Sequence, residues 1–392
     1  ESRADWNNII YDPESGKSAL AGFLSSEKAG NIIVAGFNPG QAGIDQGRTG
    51  ISNYAGISIF RPPLPLQSGL SSEFLYLDFF SASAFDALEN YADAIAKWNR
   101  VQAWQGPIPT GWNSWGEYFT DINEEIILKN LEFAAEHFKP FGMKYFQIDD
   151  GYAPFWGDWD ADPKRFPHGM KWLADQIRSR GMIPGIWIAP FDAEVNSQIF
   201  KDHPDWFLPR KGAAPKFLVG ANLRVLDLSK PEAQEHLRKE IRRYVRDWGY
   251  QWIKVDFAYH LLSYSELGDG YKTVPEIYRE GLRIIKEEAG PDVFVLGVGV
   301  VGFNYGLVDG QRLSLDNMPM WTNQKTFFNL KNFSFAQGIV PTARITARRY
   351  WLNHRVWVNH PDLIFFNNDR RFQLKQPALT FDESLCFASL VG

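Results

Sequence analysis

The chain has 392 residues, 45% of them hydrophobic and 22% charged, with a formal net charge of −5. That is globular composition, and the acidic excess excludes a nucleic-acid backbone binder, which concentrates positive charge. One cysteine, Cys386, leaves neither an intrachain disulfide framework nor a multi-thiolate zinc site. The longest nearly apolar run, Val293 to Phe303, is about half the ~20 residues of a membrane span. Aromatics are abundant, with 15 Trp, 15 Tyr and 30 Phe; large rings build cores, and a cleft of indoles suits the apolar faces of sugars. The chain opens Glu1-Ser2-Arg3 with no basic and apolar leader, from which a cytoplasmic location is expected.

Residues 1–105 read as a partial β-rich domain with a linking helix. Short apolar runs at 31–35, 57–60 and 74–80 are separated by Gly, Pro and Ser, and a helical stretch follows over 84–101. So few strands cannot close on themselves, so this sheet is expected to pack on something else, and self-association into a homo-oligomer stays open. From Pro109 the pattern becomes strand then helix, repeated over 106–392. A helix at 121–138 is expected to start on Asp121 with Glu124 at capping-box spacing. Helices are also expected at 169–180, at 231–248 behind Pro231, at 275–289, and near 325–336 and 341–352. Strands are expected at 110–114, 143–148, 183–188, 224–227, 251–256, 292–296, 312–316 and 362–366. Eight strands over about 260 residues have the rhythm of an α/β fold of the (β/α)8 TIM-barrel type. A doubly wound open sheet is the rival, and it lacks a Gly-rich loop between an early strand and its helix.

A packed barrel interior wants Val, Ile and Leu, so charged residues at the C-terminal strand ends point to chemistry. Lys254 and Asp256 are two apart and share one side of a strand. They read either as a structural ion pair or as a nucleophile or base whose pKa the lysine depresses. Asp149-Asp150-Gly151 puts two carboxylates at a strand exit. Arg312, Ser314 and Asp316 alternate down a short strand, which makes Asp316 the acid partner of Asp256 and Arg312 a group that steers a hydroxyl or holds a carboxylate. Trp112 and Trp187 add indoles on the first and third strands. The seven histidines form no His-x-His or His-Glu-x-x-His signature and no Gly-x-Ser-x-Gly elbow is present, so no metal and no cofactor are expected. Two carboxylates without other conspicuous chemistry point to glycosidic bond cleavage. A divalent-metal isomerase or lyase, which also uses barrel strand ends, is the alternative from another class.

Six motifs occur in order: Gly111-Trp112-Asn113-Ser114-Trp115, Asp149-Asp150-Gly151, His203-Pro204-Asp205-Trp206, Leu226-Asp227-Leu228-Ser229, Ile253-Lys254-Val255-Asp256 and Arg312-Leu313-Ser314-Leu315-Asp316. From Pro109 to the C-terminus the chain resembles glycoside hydrolase family 36, the α-galactosidase and raffinose synthase-like family. The resemblance implies Asp256 as nucleophile and Asp316 as acid/base. It also implies that Asp149 and Asp150 bind the 4- and 6-hydroxyls of galactose, and that Lys254 and Arg312 attend the ring and the acid/base. It implies an N-terminal β-supersandwich, of which residues 1–100 resemble only the last part, so a fragmentary chain is expected. Three positions depart from the family pattern. Gly297-Val298-Gly299 stands where many members carry Cys, Tyr152 where many carry Trp, and Ala189-Pro190-Phe191 where many place a Glu.

The expected function is a retaining, exo-acting α-galactosidase working on small or oligosaccharide α-galactosides through a glycosyl-aspartate. An α-galactosyl transglycosidase and an α-N-acetylgalactosaminidase are the alternatives within the family. Neither nucleic acid nor membrane is expected as a partner.

Overall fold

The structure, a computed structural model, describes residues 2–37, 51–60, 72–209, 222–264, 272–322, 337–366 and 378–391. The N-terminal strands are β1 (Ser2–Asp5), β2 (Asn7–Tyr11), β3 (Ser18–Phe23), β4 (Ala29–Phe37), β5 (Ile51–Phe60) and β6 (Leu75–Asp78). They form two antiparallel three-stranded sheets, ordered β1-β4-β5 and β2-β3-β6. The expectation that this β-rich piece packs on something else is met by helix α1 (Ala84–Trp98), which buries Ala87, Tyr91, Ala92 and Ile95. Tyr91 donates its hydroxyl to the Phe23 carbonyl at 2.6 Å. A Cβ at Gly22 would sit 2.4 Å from the Tyr91 ring, so only glycine admits that ring. α1 also meets the segment 350–355 that leads into the chain's last strand, with Tyr91 against Trp351 and Arg355 paired to both Glu89 and Asp93.

The remaining strands are β7 (Gly111–Asn113), β8 (Tyr145–Ile148), β9 (Ile183–Ile188), β10 (Asp192–Glu194), β11 (Leu223–Val225), β12 (Trp252–Val255), β13 (Phe294–Gly297), β14 (Gly310–Arg312) and β15 (Val358–His360). The helices among them are α2 (Trp115–Tyr118), α3 (Glu124–His137), α4 (Gly169–Ser179), α5 (Gln198–Asp202), α6 (Pro231–Arg242), α7 (Val274–Ala289), α8 (Ile339–Arg348) and α9 (Phe381–Val391). A seven-stranded sheet runs β7-β8-β9-β12-β13-β14-β15, and every neighbouring pair in it is parallel. Strands lie in chain order with no reversal, which removes the doubly wound rival, since that fold needs a switch point. The sheet is curled and open, with β7 and β15 at its edges. The segments that follow those edges touch: a Cβ on Gly116 would lie 2.9 Å from both Leu363 and Phe365.

Four expectations are corrected. The segment at 224–227 does not enter the parallel sheet; β11 pairs antiparallel with β10, and β9 bonds directly to β12. The strand expected at 312–316 ends at Arg312, and the edge strand expected at 362–366 lies at 358–360. Helix α3 starts at Glu124, capped by Asn123 and not by Asp121: Asn123 accepts from the Ile126 N–H at 2.9 Å, and a side-chain oxygen three residues before a free N–H is what a cap requires. The helix expected over 325–336 lies outside the described residues. Helix α7 carries the full reciprocal capping box between Thr273 and Glu276.

The two faces of the sheet separate cleanly. Phe146, Ile148, Ile186, Ile188, Ile253, Val255 and Val295 join the large core shared with the helices. Tyr145, Trp252, Phe294, Leu296 and Val358 form a second cluster, with Trp104 against it. Trp252 stacks on Phe294 at 4.7 Å, and Trp104 meets Phe294 edge-on at 5.1 Å. This aromatic plug closes the N-terminal end of the curled sheet and leaves its C-terminal end to polar residues. Trp252→Ala is expected to cost about 3–5 kcal/mol, read as a lower urea midpoint at unchanged slope.

Candidate active site

Above the plug, the strand registers bring polar side chains to one level. Asn113 is opposite Gln147, Lys254 opposite Trp187, and Arg312 opposite His360. Asp149, just past β8 and only 1% exposed, is the hub. Its Oδ2 accepts from Asn113, Gln147 and Lys254, each at 2.9 Å. Its Oδ1 accepts from the Asp150 N–H, and its own N–H donates to Ser114. Lys254 therefore forms its ion pair with Asp149, where the sequence suggested Asp256. Burial works against the Lys254 ammonium, yet Asp149 and then Asp256 outweigh it and the group is held above the usual lysine value.

Asp256 follows β12 directly and is buried. Trp187 donates its indole N–H to one oxygen at 3.2 Å, and the Phe257 N–H serves the other at 2.8 Å. Asp316 is served in a similar way: the Trp115 indole N–H reaches one oxygen at 3.2 Å, and Arg312 donates to the other. Burial would raise the Asp316 carboxyl, but Arg312, Lys254 and these two hydrogen bonds hold it below the ordinary aspartate value. Asp256 and Asp316 share their electrostatic surroundings, since both act on Lys254 and on Tyr259. Behind Asp256, the buried His260 bonds Asp192 at 2.8 Å.

Asp150 is turned the other way by Gly151, whose φ of +116° lets the chain pass close to Thr120; a Cβ there would lie 2.7 Å from the Thr120 carbonyl oxygen. Trp156 donates its indole N–H to both Asp150 oxygens, at 3.1 and 3.2 Å. Burial, with Asp149 and Asp256 nearby, pushes this carboxyl up to about 7.

The structure thus brings Asp149, Asp150, Lys254, Asp256, Arg312, Asp316 and Trp187 to the same end of the sheet. Trp112 is apart from them: it stacks on Phe146 at 4.4 Å, on the face of β7 opposite Asn113. Asn113 and Trp115 stand in the first motif without a role assigned from sequence, and Gln147, Trp156, His360 and Asp362 were not singled out as site residues. Period-2 alternation around Asp149 and Lys254 would have signalled Asn113 and Gln147, whereas the loop residues carry no local signal. Among the described residues no group of three or more His, Cys, Asp or Glu is disposed to hold a metal, and no helix is long and apolar enough to cross a membrane.

Asp150 generates a prediction with a definite sign. Its carboxyl ionises near pH 4 in the unfolded chain and near 7 in the fold, so it withdraws stability as pH rises between those values. Asp150→Asn, which keeps an acceptor for Trp156, is expected to be more stable than wild type above pH 7. The gain should vanish below pH 4, as read by urea unfolding across pH.

The Melibiase family profile matches residues 89–280. Alpha-galactosidase 2 of Pediococcus pentosaceus is 29% identical over 164 residues, which are 40% of this chain and 22% of that protein. A probable alpha-galactosidase C of Aspergillus flavus is 32% identical over 162 residues, 37% of this chain and 21% of that protein. These matches span about a fifth of the length of those relatives. Among solved structures, an alpha-galactosidase from Thermus thermophilus in complex with p-nitrophenyl α-D-galactopyranoside superposes with a TM-score of 0.73 at 27% identity. It covers 99% of this chain and 70% of that one. With the ordered motifs and their placement at one end of a parallel sheet, these likenesses show a chain similar to glycoside hydrolase family 36, the α-galactosidase and raffinose synthase-like family.

Proposed function

We propose that this chain carries the active site of a retaining, exo-acting α-galactosidase that hydrolyses terminal α-galactosides through a glycosyl-aspartate. The observation that carries the reading is the matched pair of acids: Asp256 and Asp316 each have one oxygen on an indole N–H, at the same end of the sheet. In this reading residues 1–105 are the β-rich N-terminal part and 106–392 the catalytic part, whose sheet closes as a (β/α)8 barrel. The contact between Gly116 and the Leu363–Phe365 segment supports that closure.

Asp256 attacks the anomeric carbon while Asp316 protonates the departing oxygen, and Asp316 then takes a proton from water as that water breaks the ester. The Trp187 and Phe257 N–H groups hold the Asp256 carboxylate in one orientation, so no rotamer search precedes attack. Asp150 and Asp149 face galactose hydroxyls, with the Asp149 oxygens already fixed by four internal hydrogen bonds. Lys254, anchored by Asp149, presents its remaining protons to ring hydroxyls.

Asp256→Ala should abolish turnover of p-nitrophenyl α-galactoside, and added azide should restore part of it with inverted product. Near-normal hydrolysis by that variant would remove the assignment. The wild-type panel of p-nitrophenyl α-galactoside, α-N-acetylgalactosaminide and α-glucoside, with the first anomer read by NMR, should show the galactoside preferred and the α-anomer formed first. EDTA should leave the rate unchanged, where a divalent-metal isomerase or lyase would lose activity. Product analysis with sucrose or galactinol present separates hydrolysis from transfer.

A further inference from the structure

Arg312 faces two acids. The nitrogen that donates to Asp316 also lies 3.6 Å from Asp362. Asp362 comes from the segment just past β15, the strand paired with Arg312's own β14. Its other oxygen accepts the N–H of Asn317, the residue after Asp316, at 2.8 Å, and its own N–H donates to His360 Nδ1 at 3.1 Å. The side chain is 5% exposed, and the residue holds a φ of +80°, a left-handed backbone that a non-glycine residue rarely keeps. We propose that Asp362 is a positioning residue for the acid carboxylate: it ties down the backbone behind Asp316 and draws the Arg312 guanidinium toward a second anion, leaving Asp316 able to take up a proton.

This inference rests on the reading of Asp316 as acid/base and supplies what that reading lacks, because Arg312 alone favours the ionised form of Asp316. The groups facing the pair are Arg312 from β14, Lys254 from β12, Asp256 and Tyr259 beyond β12, His360 from β15 and the Trp115 indole beyond β7. Burial, opposed by Arg312, leaves Asp362 at about 6, and burial beside Lys254 and Arg312 keeps His360 neutral with a value near 3. Neighbouring acids on one cation titrate as a unit, so removing one charge changes the proton affinity of the other.

The test is Asp362→Asn, which keeps an acceptor for the Asn317 N–H and removes the charge. With methyl α-galactoside, whose leaving group needs a proton, the basic limb of kcat/KM is expected to move down by about one pH unit. With 2,4-dinitrophenyl α-galactoside, which departs without one, that limb should stay in place. A profile of unchanged shape, merely scaled, or an equal shift with both substrates would overturn the proposal. If D362N does not fold, D316N serves in its place: infrared carboxyl titration should then show Asp362 ionising at lower pH than in wild type, and an unmoved band overturns the proposal. Asp316→Ala is measured alongside. Wild-type turnover of methyl α-galactoside by that variant would remove the assignment of Asp316 itself, and the role of Asp362 with it.

Discussion

Two permanent cations, Lys254 and Arg312, are buried at the mouth of the curled sheet, and everything around them is arranged to keep those charges there. An uncompensated charge at such depth costs several kcal/mol. Lys254 meets Asp149, whose position is fixed in turn by Asn113, Gln147, Ser114 and the next backbone N–H. Arg312 meets Asp316 and Asp362. Four carboxyl groups (Asp149, Asp256, Asp316 and Asp362) act on these two cations, and Asp150 lies beside Asp149. Burial, with a neighbouring carboxylate in each case, raises Asp150 to about 7 and Asp362 to about 6. Carboxyls raised by burial thereby stand beside Asp316, which Arg312 and Lys254 hold below its ordinary value.

That arrangement depends on the plug beneath. Tyr145, Trp252, Phe294 and Trp104 fill the other end of the sheet with rings, so the polar layer has apolar material below it and water on one side only. The motif Gly111-Trp112-Asn113-Ser114-Trp115 spans these layers within five residues. Trp112 turns outward onto Phe146, Asn113 turns inward to Asp149, and Ser114 accepts the Asp149 N–H. Trp115 then reaches across the open edge to Asp316. One strand end thus ties the hub to the far acid, linking the edge strand β7 to the loop beyond β14.

Much of this was legible in the sequence, because strand–helix alternation and charged strand ends are local signals. Lys254 and Asp256, Asp149 and Asp150, and Arg312 and Asp316 all declared themselves in that way. The segment 224–227 looked like a sheet strand by its own residues, but its pairing was decided by proximity to β10, which no local pattern encodes. The partner of Lys254 was misjudged for a related reason: sequence distance favoured Asp256, while register placed Asp149 on the neighbouring side with an oxygen at 2.9 Å. Asp362 was hidden altogether, because it acts from a non-strand segment through a backbone N–H 45 residues away. Asp121 and Asn123 show the same limit at small scale, where either residue suited a cap and the course of the preceding chain chose between them.

Two of the left-handed non-glycine residues lie where strands give way to the site. Phe257, immediately after Asp256, has a φ of +52°, and Asp362 has one of +80°. Left-handed backbone at non-glycine residues costs of order 1–3 kcal/mol each and persists only when the surroundings over-determine it. At Phe257 the surroundings are explicit: its N–H is bound to Asp256, and its ring packs against Trp156 at 5.1 Å. Releasing the turn would free the Asp256 carboxylate to rotate away from Trp187. The cost is met locally at Asp362 too, which lies past the three-residue edge strand β15 and is held by its hydrogen bonds with the Asn317 N–H and His360. The scaffold's surplus stability is spent in holding two acids in orientations that an unstrained chain would not keep.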